Sequence, residues 1–381
     1  MSKVLVKEAT LTSIADAIRE KNGSTDTYYP NEMAAAITAI ETGGGDIPEE
    51  GLTITGNCNH RFAYNGWNWF IDAYAKKIKT NNITGAGNMF YYSDAIKEIP
   101  FEINFDASKN VTLTDMFSQS GIETVPKINN CKPTETSSMF FQCKNITQYP
   151  EDMDEWFDWS FIENLTNSYS GRMNSMFAFN HSLRKFPVGM IKHTNKYMTS
   201  NTPYYSMANT CSALDEITNL PVLFKDIEKT TNLFTTTFNN TRRIKDITFE
   251  TDNGAPYVVQ WKAQTIDLSK EIGYGFTSAS FYNTGLTTAT QIKDDTTYQA
   301  LKDNVDSWTS LENYSRYNRT SAINTINSLP DTSAYLATAG GTNTIKFKGA
   351  AGALTDGGAI NTMTEEEIAV ATAKGWTVSF T

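Results

Sequence analysis

The apolar positions of this chain fall into three regimes. In "TLTSIADAIREKNG", Leu11, Ile14, Ala15 and Ile18 share one face at helical spacing. Thr10 or Thr12 can cap the start, and Gly23 is a natural stop. "YPNEMAAAITAIETGGG" predicts a second helix, with Pro30 in its first turn and Met33, Ile37 and Ile40 on its stripe. Gly43 to Gly45 end it, and the Gly-rich stretch reads as a flexible joint. A helical hairpin of about 30 residues cannot bury two stripes alone. Residues 1–45 are therefore expected to dock or oligomerise, with Leu11, Ile14, Ile18, Met33, Ile37 and Ile40 as the assembly interface.

From residue 46 to 290 a different pattern recurs. "SMFFQCKNITQYP" (138–150) and "SMFAFNHSLRKFP" (175–187) share Ser-Met-Phe, a polar patch, an apolar residue, an aromatic and a Pro. "NMFYYSDAIKEIP" keeps Met89, Phe90, Ile96, Ile99 and Pro100. "DMFSQSGIETVP" keeps Met116, Phe117, Ile122, Val125 and Pro126, one residue shorter in the middle. "SMANTCSALDEI", "TTFNNTRRIKDI" and "SASFYNTGLTTA" follow, which puts the Met slot at 89, 116, 139, 176, 207, 237 and 280. The expectation is an α/β chain forming an irregular solenoid, since one such unit cannot bury its own apolar side but a stack can. Each unit is expected to hold a short helical or 3₁₀ turn around Met-Phe. A short strand carrying positions such as Ile96 and Ile99 would follow, ended by Pro on an edge.

Residues 291–381 predict further repeats and a cap. "TTYQALKDNVDSW" and "RTSAINTINSLP" look helical. "NTIKFKG" alternates, with Ile345 and Phe347 opposite Lys346 and Lys348. "MTEEEIAVATAKGWTVSFT" predicts a helix capped by Thr364, with acids early and Lys374 late, stopped by Gly375 before a last strand.

Composition narrows the function. Of 381 residues 40% are hydrophobic and 12% aromatic, enough for a real core. Only 19% are charged, so Asn, Thr and Ser carry the polar surface. The net charge of −10 and the lack of a basic run argue against nucleic acid or an anionic membrane as partners. No run is long and apolar enough to predict membrane insertion, and the first residues lack the apolar core of a secretory signal. The four cysteines, Cys58, Cys131, Cys143 and Cys211, form no CxxC pair and are expected as buried free thiols.

The recurring Met-Phe, Cys or Asn, Leu or Ile, Ile-Pro frame resembles the BspA-like leucine-rich repeats, over about 200 residues by the frame count. Cys143 and Cys211 match that family's Cys slot, and Asn180 replaces it in the copy at Met176. The ending from "INTINSLP" to "GWTVSF" resembles a C-terminal unit found on such arrays in bacteriophage proteins. "LTSIADAIREKNGSTDTYYPNEMAAAI" resembles a segment that recurs in phage tail, baseplate and fibre proteins. Together these resemblances imply a phage virion protein, with an N-terminal docking element and a distal repeat module. The long insertions at 151–175 and 188–206 depart from the pattern.

Little catalytic chemistry is legible. The histidines are His60, His181 and His193, and no HExxH, G-x-S-x-G, Walker A or G-x-G-x-x-G motif occurs. No metal site and no cofactor are expected. In "PEDMDEWFDWS", acids including Asp154 stand beside Trp156. The plain reading is a solvated turn with its aromatic side on the core. The functional readings are a ligand or cation surface, or a carboxylate pair around a sugar bond. Trp67 and Trp69, with Tyr64 and Tyr74, suit either a capped core or sugar stacking, and Tyr204 and Tyr205 stand in an insertion that can face a partner. The expected function is a non-catalytic fibre or baseplate-associated adhesin. Its expected partners are other virion proteins, through the N-terminal helices, and a host-surface glycan or protein. A homo-oligomer, with a trimer favoured, is expected in the virion. The alternatives are a capsid head fibre or decoration protein, or a bacterial BspA-like adhesin.

Overall fold

The structure is a computed structural model. It describes residues 12, 15–16, 51–64, 71, 77–163, 173–193, 205–211, 213–230, 233–234, 237–238, 241, 244–269, 317, 319–347 and 363–381. The chain divides into two compact units, residues 1–53 with 76–79, and residues 54–75 with 80–381. In the first unit Thr12, Ala15 and Asp16 are helical, Ala15 buried and the other two exposed. All six predicted interface residues, Leu11, Ile14, Ile18, Met33, Ile37 and Ile40, lie outside the described residues.

In the second unit the recurring frame is one repeated turn. Met89, Met116, Met139, Met176 and Met207 are fully buried, as are Phe90, Phe117, Phe140 and Phe177. The Met amide closes back on the carbonyl three residues earlier, as in Met116 to Leu113 at 3.1 Å. The Phe amide donates forward, to the Met-slot carbonyl of the next copy. Phe62 reaches Met89 at 2.8 Å, Phe90 Met116 at 2.7 Å, Phe117 Met139 at 2.9 Å, Phe140 Met176 at 3.0 Å and Phe177 Met207 at 2.9 Å. One bond in the same register thus ties each copy to its neighbour. The rings follow the backbone. From Phe62 through Phe90, Phe117 and Phe140 to Phe177, successive centroids lie 5.3, 5.4, 5.4 and 5.8 Å apart, with interplanar angles of 15° or less. This column of rings is the centre of the core.

The turn is not the helical or 3₁₀ turn that the sequence predicted. Two residues per copy adopt left-handed backbone, four positions apart. The inner one precedes the Met slot: His60, Asn88, Asp115, Ser138, Ser175 and Ser206. The outer one follows it by three: Tyr64, Tyr92, Gln119, Gln142, Phe179 and Thr210. Left-handed residues at that interval stop the chain from continuing as a helix. The bonds also reveal a copy that the sequence frame did not detect, His60 to Tyr64, where exposed Arg61 takes the Met slot and Phe62 keeps its ring inside.

The slot read as a small buried Cys or Asn is a donor slot. Cys143 Sγ donates to the carbonyl of Phe117 in the preceding copy at 3.1 Å, and Cys211 Sγ to that of Phe177 at 3.0 Å. Ser93 Oγ does the same to Phe62 at 2.6 Å. A buried carbonyl without a partner is costly, so the slot demands a compact donor rather than a hydrophobe.

Short parallel strands flank the turns. β1 (Leu52–Asn57) pairs with β2 (Ile78–Gly85), β3 (Ile103–Asn104) with β5 (Ile128–Asn129), and β4 (Asn110–Thr112) with β6 (Lys132–Glu135). β7 (Glu216–Leu220) pairs with β8 (Asp246–Phe249). Ile96 and Ile99 are buried as expected, but the stretch that carries them is extended chain outside any strand. In the copies at Met89 and Met116 the strand comes after the Pro, not before it. After Pro150 and Pro187 the chain enters 3₁₀ helices instead, Met153–Trp156 and Val188–His193.

Beyond the antiparallel hairpin of β9 (Thr251–Asp252) and β10 (Ala255–Pro256), β11 (Thr265–Asp267), β12 (Asn343–Phe347) and β13 (Trp376–Phe380) form a parallel sheet. In β12, Ile345 and Phe347 are buried and Lys346 is half-buried, as the alternation predicted; Lys348 lies outside the described residues. "RTSAINTINSLP" supplies one helix (Arg319–Ser328) and "TEEEIAVATA" another (Glu365–Ala373), which Thr364 caps in a reciprocal box with Glu367. Gly375 ends it at φ +82°. Lys374 does not serve its own helix: its ammonium donates to the carbonyls of Ile326 and Asn327 at 2.9 and 2.6 Å, at the end of the other one. A helix at Ser333–Ala339, with no buried residue, had no apolar stripe to announce it. Among the described residues no helix is long and apolar enough to cross a membrane.

Candidate functional site

The outer left-handed position puts side chains where the stack cannot bury them. Tyr64 and Tyr92 hold it in adjacent copies, fixed by amide bonds from Tyr64 to Tyr91 at 2.6 Å and from Tyr92 to Ser118 at 3.0 Å. Tyr64 is 59% exposed and Tyr92 47%. With Tyr91 they form one cluster. Tyr91 meets Tyr92 edge-on at 5.1 Å and Tyr64 at 6.0 Å, while Tyr64 and Tyr92 lie 6.4 Å apart and 25° from parallel. Desolvation, then the nearby Asp115 carboxylate, pushes the Tyr91 phenol above its ordinary pKa, and a hydrogen bond with the Gln119 side chain opposes the shift. Its hydroxyl is therefore a neutral hydrogen-bonding group at physiological pH.

The same column continues through Gln119, Gln142, Phe179 and Thr210, all half-buried. Phe179 packs against Phe141 at 5.3 Å and against His181 at 6.3 Å. Burial, then Lys144, pushes the His181 pKa down, so its ring is neutral near pH 7. Apolar faces and uncharged hydrogen-bonding groups share this edge.

The acidic insert is a second place of interest. Asp152 accepts from Trp156 Nε1 at 2.9 Å and pairs with Lys127, whose ammonium sits 4.2 Å over the Trp156 ring. Glu151 pairs with Lys185 at 2.7 Å, and Asp158 with Lys132 at 3.5 Å. Asp154 alone turns inward, at 6% exposed. It pairs with Lys192 and meets His193 Nε2 at 3.5 Å, while His193 Nδ1 meets Glu163 at 2.8 Å. The His193 ring lies flat on Trp159 at 5.0 Å, and Trp159 Nε1 donates to the Asp154 carbonyl at 2.7 Å. Gly189 passes so close that a Cβ there would sit 2.9 Å from Asp154 Oδ1. The two insertions thus latch onto each other through Asp154. A cavity of about 200 Å³ lies between them, lined by Tyr149, Glu151, Asp154, Lys185, Phe186 and Gly189 among others.

Removing that latch has a defined cost. Asp154→Ala leaves the Lys192 ammonium and the His193 ring without their shared acceptor, and is expected to destabilise the protein by about 2 kcal/mol. Glu155→Ala, at an exposed neighbour, is expected to stay within about 0.5 kcal/mol of the parent. Urea denaturation of both variants checks the difference.

All four cysteines are free and buried. Burial pushes the Cys143 and Cys211 thiols up to about 12 and raises those of Cys58 and Cys131 as well. Thiolate is the reactive species. Ellman's reagent is therefore expected to titrate none of them in the native protein and all four after unfolding in guanidinium. Rapid native labelling would contradict the donor role of Cys143 and Cys211.

Of the residues singled out from sequence, Trp67, Trp69 and Tyr204 lie outside the described residues. Tyr205 is exposed, two positions before Met207. Trp156 and Asp154 share a 3₁₀ helix but face different partners, Lys127 outside and Lys192 inside. The sequence reading singled out Tyr64 as a cap or sugar contact and missed Tyr91, Tyr92 and Gln119. Their common signal is the frame position two or three residues after the Met slot. Among the described residues no group of three or more His, Cys, Asp or Glu side chains is placed to hold a metal ion. A scan against protein-family models found no match, and neither did searches of curated proteins and of solved structures.

Proposed function

We propose that this chain is a bacteriophage virion structural protein, a fibre or baseplate-associated adhesin that binds a host surface without turning anything over. Its core would be an irregular leucine-rich-repeat-like solenoid. The observation that supports this reading is the forward bond from each Phe amide to the next Met-slot carbonyl, repeated in register from Phe62 to Met207. Such stacking fixes equivalent outer positions in a row while their side chains vary from copy to copy, which suits a rigid binding surface with several weak contacts. Residues 1–45 would anchor the protein to other virion proteins or to its own copies, with a trimer favoured.

Two measurements test the reading. Light scattering of the full chain, beside a chain starting at Asp46, should give an oligomer that falls to a monomer on truncation. A monomer in both cases removes the oligomer anchor. Fluorescently labelled protein should be retained saturably on cells of at least one strain in a panel of Gram-positive gut bacteria. No retention on any strain removes the adhesin.

A further inference from the structure

We propose that a linear, uncharged glycan lies along the column of outer left-handed residues, about one sugar ring per repeat, with Tyr64 and Tyr92 as its main stacking faces. The inference rests on the adhesin reading and gives it a ligand class and a site.

The backbone supplies the first argument. Both bracketing positions of the turn need positive φ, which costs an L side chain energy and favours Gly, Asn or Asp. The inner position carries Asn88, Asp115, His60 and three serines, polar residues with no large exposed apolar ring among them. The outer position has the same backbone, yet carries Tyr64 (φ 67°), Tyr92 (φ 58°) and Phe179 (φ 61°). Folding alone gives no reason to place a large ring there, least of all one left about half exposed. Strain of this kind collects where side chains serve binding.

The chemistry of the column supplies the second. Its residues are Tyr, Tyr, Gln, Gln, Phe and Thr, with no formal charge among them. Rings offer flat apolar faces to the C–H faces of a pyranose, and amides and hydroxyls satisfy its hydroxyl groups. The step between copies, 5.3 to 5.8 Å along the Phe column, is close to the length of one pyranose unit in an extended chain. A net charge of −10 repels polymers rich in phosphate or uronate, which leaves neutral glycans.

The test uses the full chain and soluble probes: the linear hexasaccharides of glucose, mannose and N-acetylglucosamine, with their disaccharides, titrated by calorimetry. At least one hexasaccharide is expected to bind, at least tenfold tighter than its disaccharide. Tyr64→Gly and Tyr92→Gly are each expected to weaken it tenfold or more. Their thermal midpoints should hold or rise, because glycine relieves the backbone while it removes the ring. Glu123→Gln, exposed and outside the column, should bind as the parent does. Binding that survives both glycine variants overturns the proposal, and so does a fall in their thermal midpoints, which would make the rings structural. If no probe binds while cell retention persists in parent and variants alike, the glycan column falls and the adhesin stands. If retention is lost in the glycine variants but no probe binds, the column serves a partner other than these glycans and the proposal fails. If neither glycan nor cell binds, both readings fall.

Discussion

Phe140→Ala is expected to be among the most destabilising single truncations in the repeat core, at about 3–5 kcal/mol. The ring is fully buried and touches three others: Phe117 at 5.4 Å, Phe177 at 5.8 Å and Tyr149 at 5.0 Å. The cost of a cavity depends on how far its walls can relax. Here they cannot relax far. The Phe117 amide is held to the Met139 carbonyl and the Phe140 amide to that of Met176, so neighbouring copies cannot slide inward without breaking the register. Stacked repeats also draw stability from each nearest-neighbour interface, and Phe140 belongs to two. Phe62, in the first detected copy, stacks on Phe90. Phe62→Ala is therefore expected to cost about half as much. Phe140→Leu keeps most of the volume and should cost about 1.5 kcal/mol or less. Urea midpoints for the three variants decide it. Equal losses at Phe62 and Phe140 would show that the rings do not act as one column.

The apolar half of this architecture was legible. A buried side chain must be apolar whatever its backbone does, so Met, Phe and Ile recur wherever the turn recurs. What hid was everything set by backbone geometry. Positive φ at Asn88, Asp115 and Ser138 leaves only a faint trace in sequence, a preference for small polar residues, and the turn was read as helical. The copy at Phe62 was missed because Arg61 stands in the Met slot and sends its side chain to solvent. The donor slot was read as a packing slot because Cys satisfies both descriptions. Ser93 in the same place shows what selects it, since it is no hydrophobe and donates to the Phe62 carbonyl of the preceding copy at 2.6 Å. Tyr92 escaped for a related reason. Aromatics were sought in the insertions and in the stretch of Tyr64, Trp67 and Trp69, whereas Tyr92 sits inside the repeated frame. Its exposure follows only once the outer position is known to be left-handed.

Gly121 carries the remaining large effect. The copy at Met116 is one residue shorter between its donor slot, Ser120, and its next core residue, Ile122, than the copy at Met89 between Ser93 and Ile96. The shorter path pulls its backbone against the preceding copy. The Gly121 amide donates to Ser93 at 3.0 Å, and Asn145 Nδ2 donates to the Gly121 carbonyl from the following copy at 2.8 Å. A Cβ on Gly121 would sit 1.9 Å from the Asp94 carbonyl oxygen and 2.6 Å from its carbon. Both obstacles are backbone, so no side chain can swing away. Gly121→Ala must then push two copies apart, at the expense of this bond and of the Glu123 to Lys97 bond at 3.0 Å. The expected cost is about 3 kcal/mol, the upper end for added bulk in a close-packed site. The cause can be separated from a general intolerance of alanine. An Asp inserted after Ser120, together with Gly121→Ala, recreates the Ser93-Asp94-Ala95-Ile96 spacing of the preceding copy. That double change should recover at least half of the lost stability, read as the urea midpoint. If Gly121→Ala proves harmless, or the insertion worsens it, the missing residue is not what makes glycine necessary there.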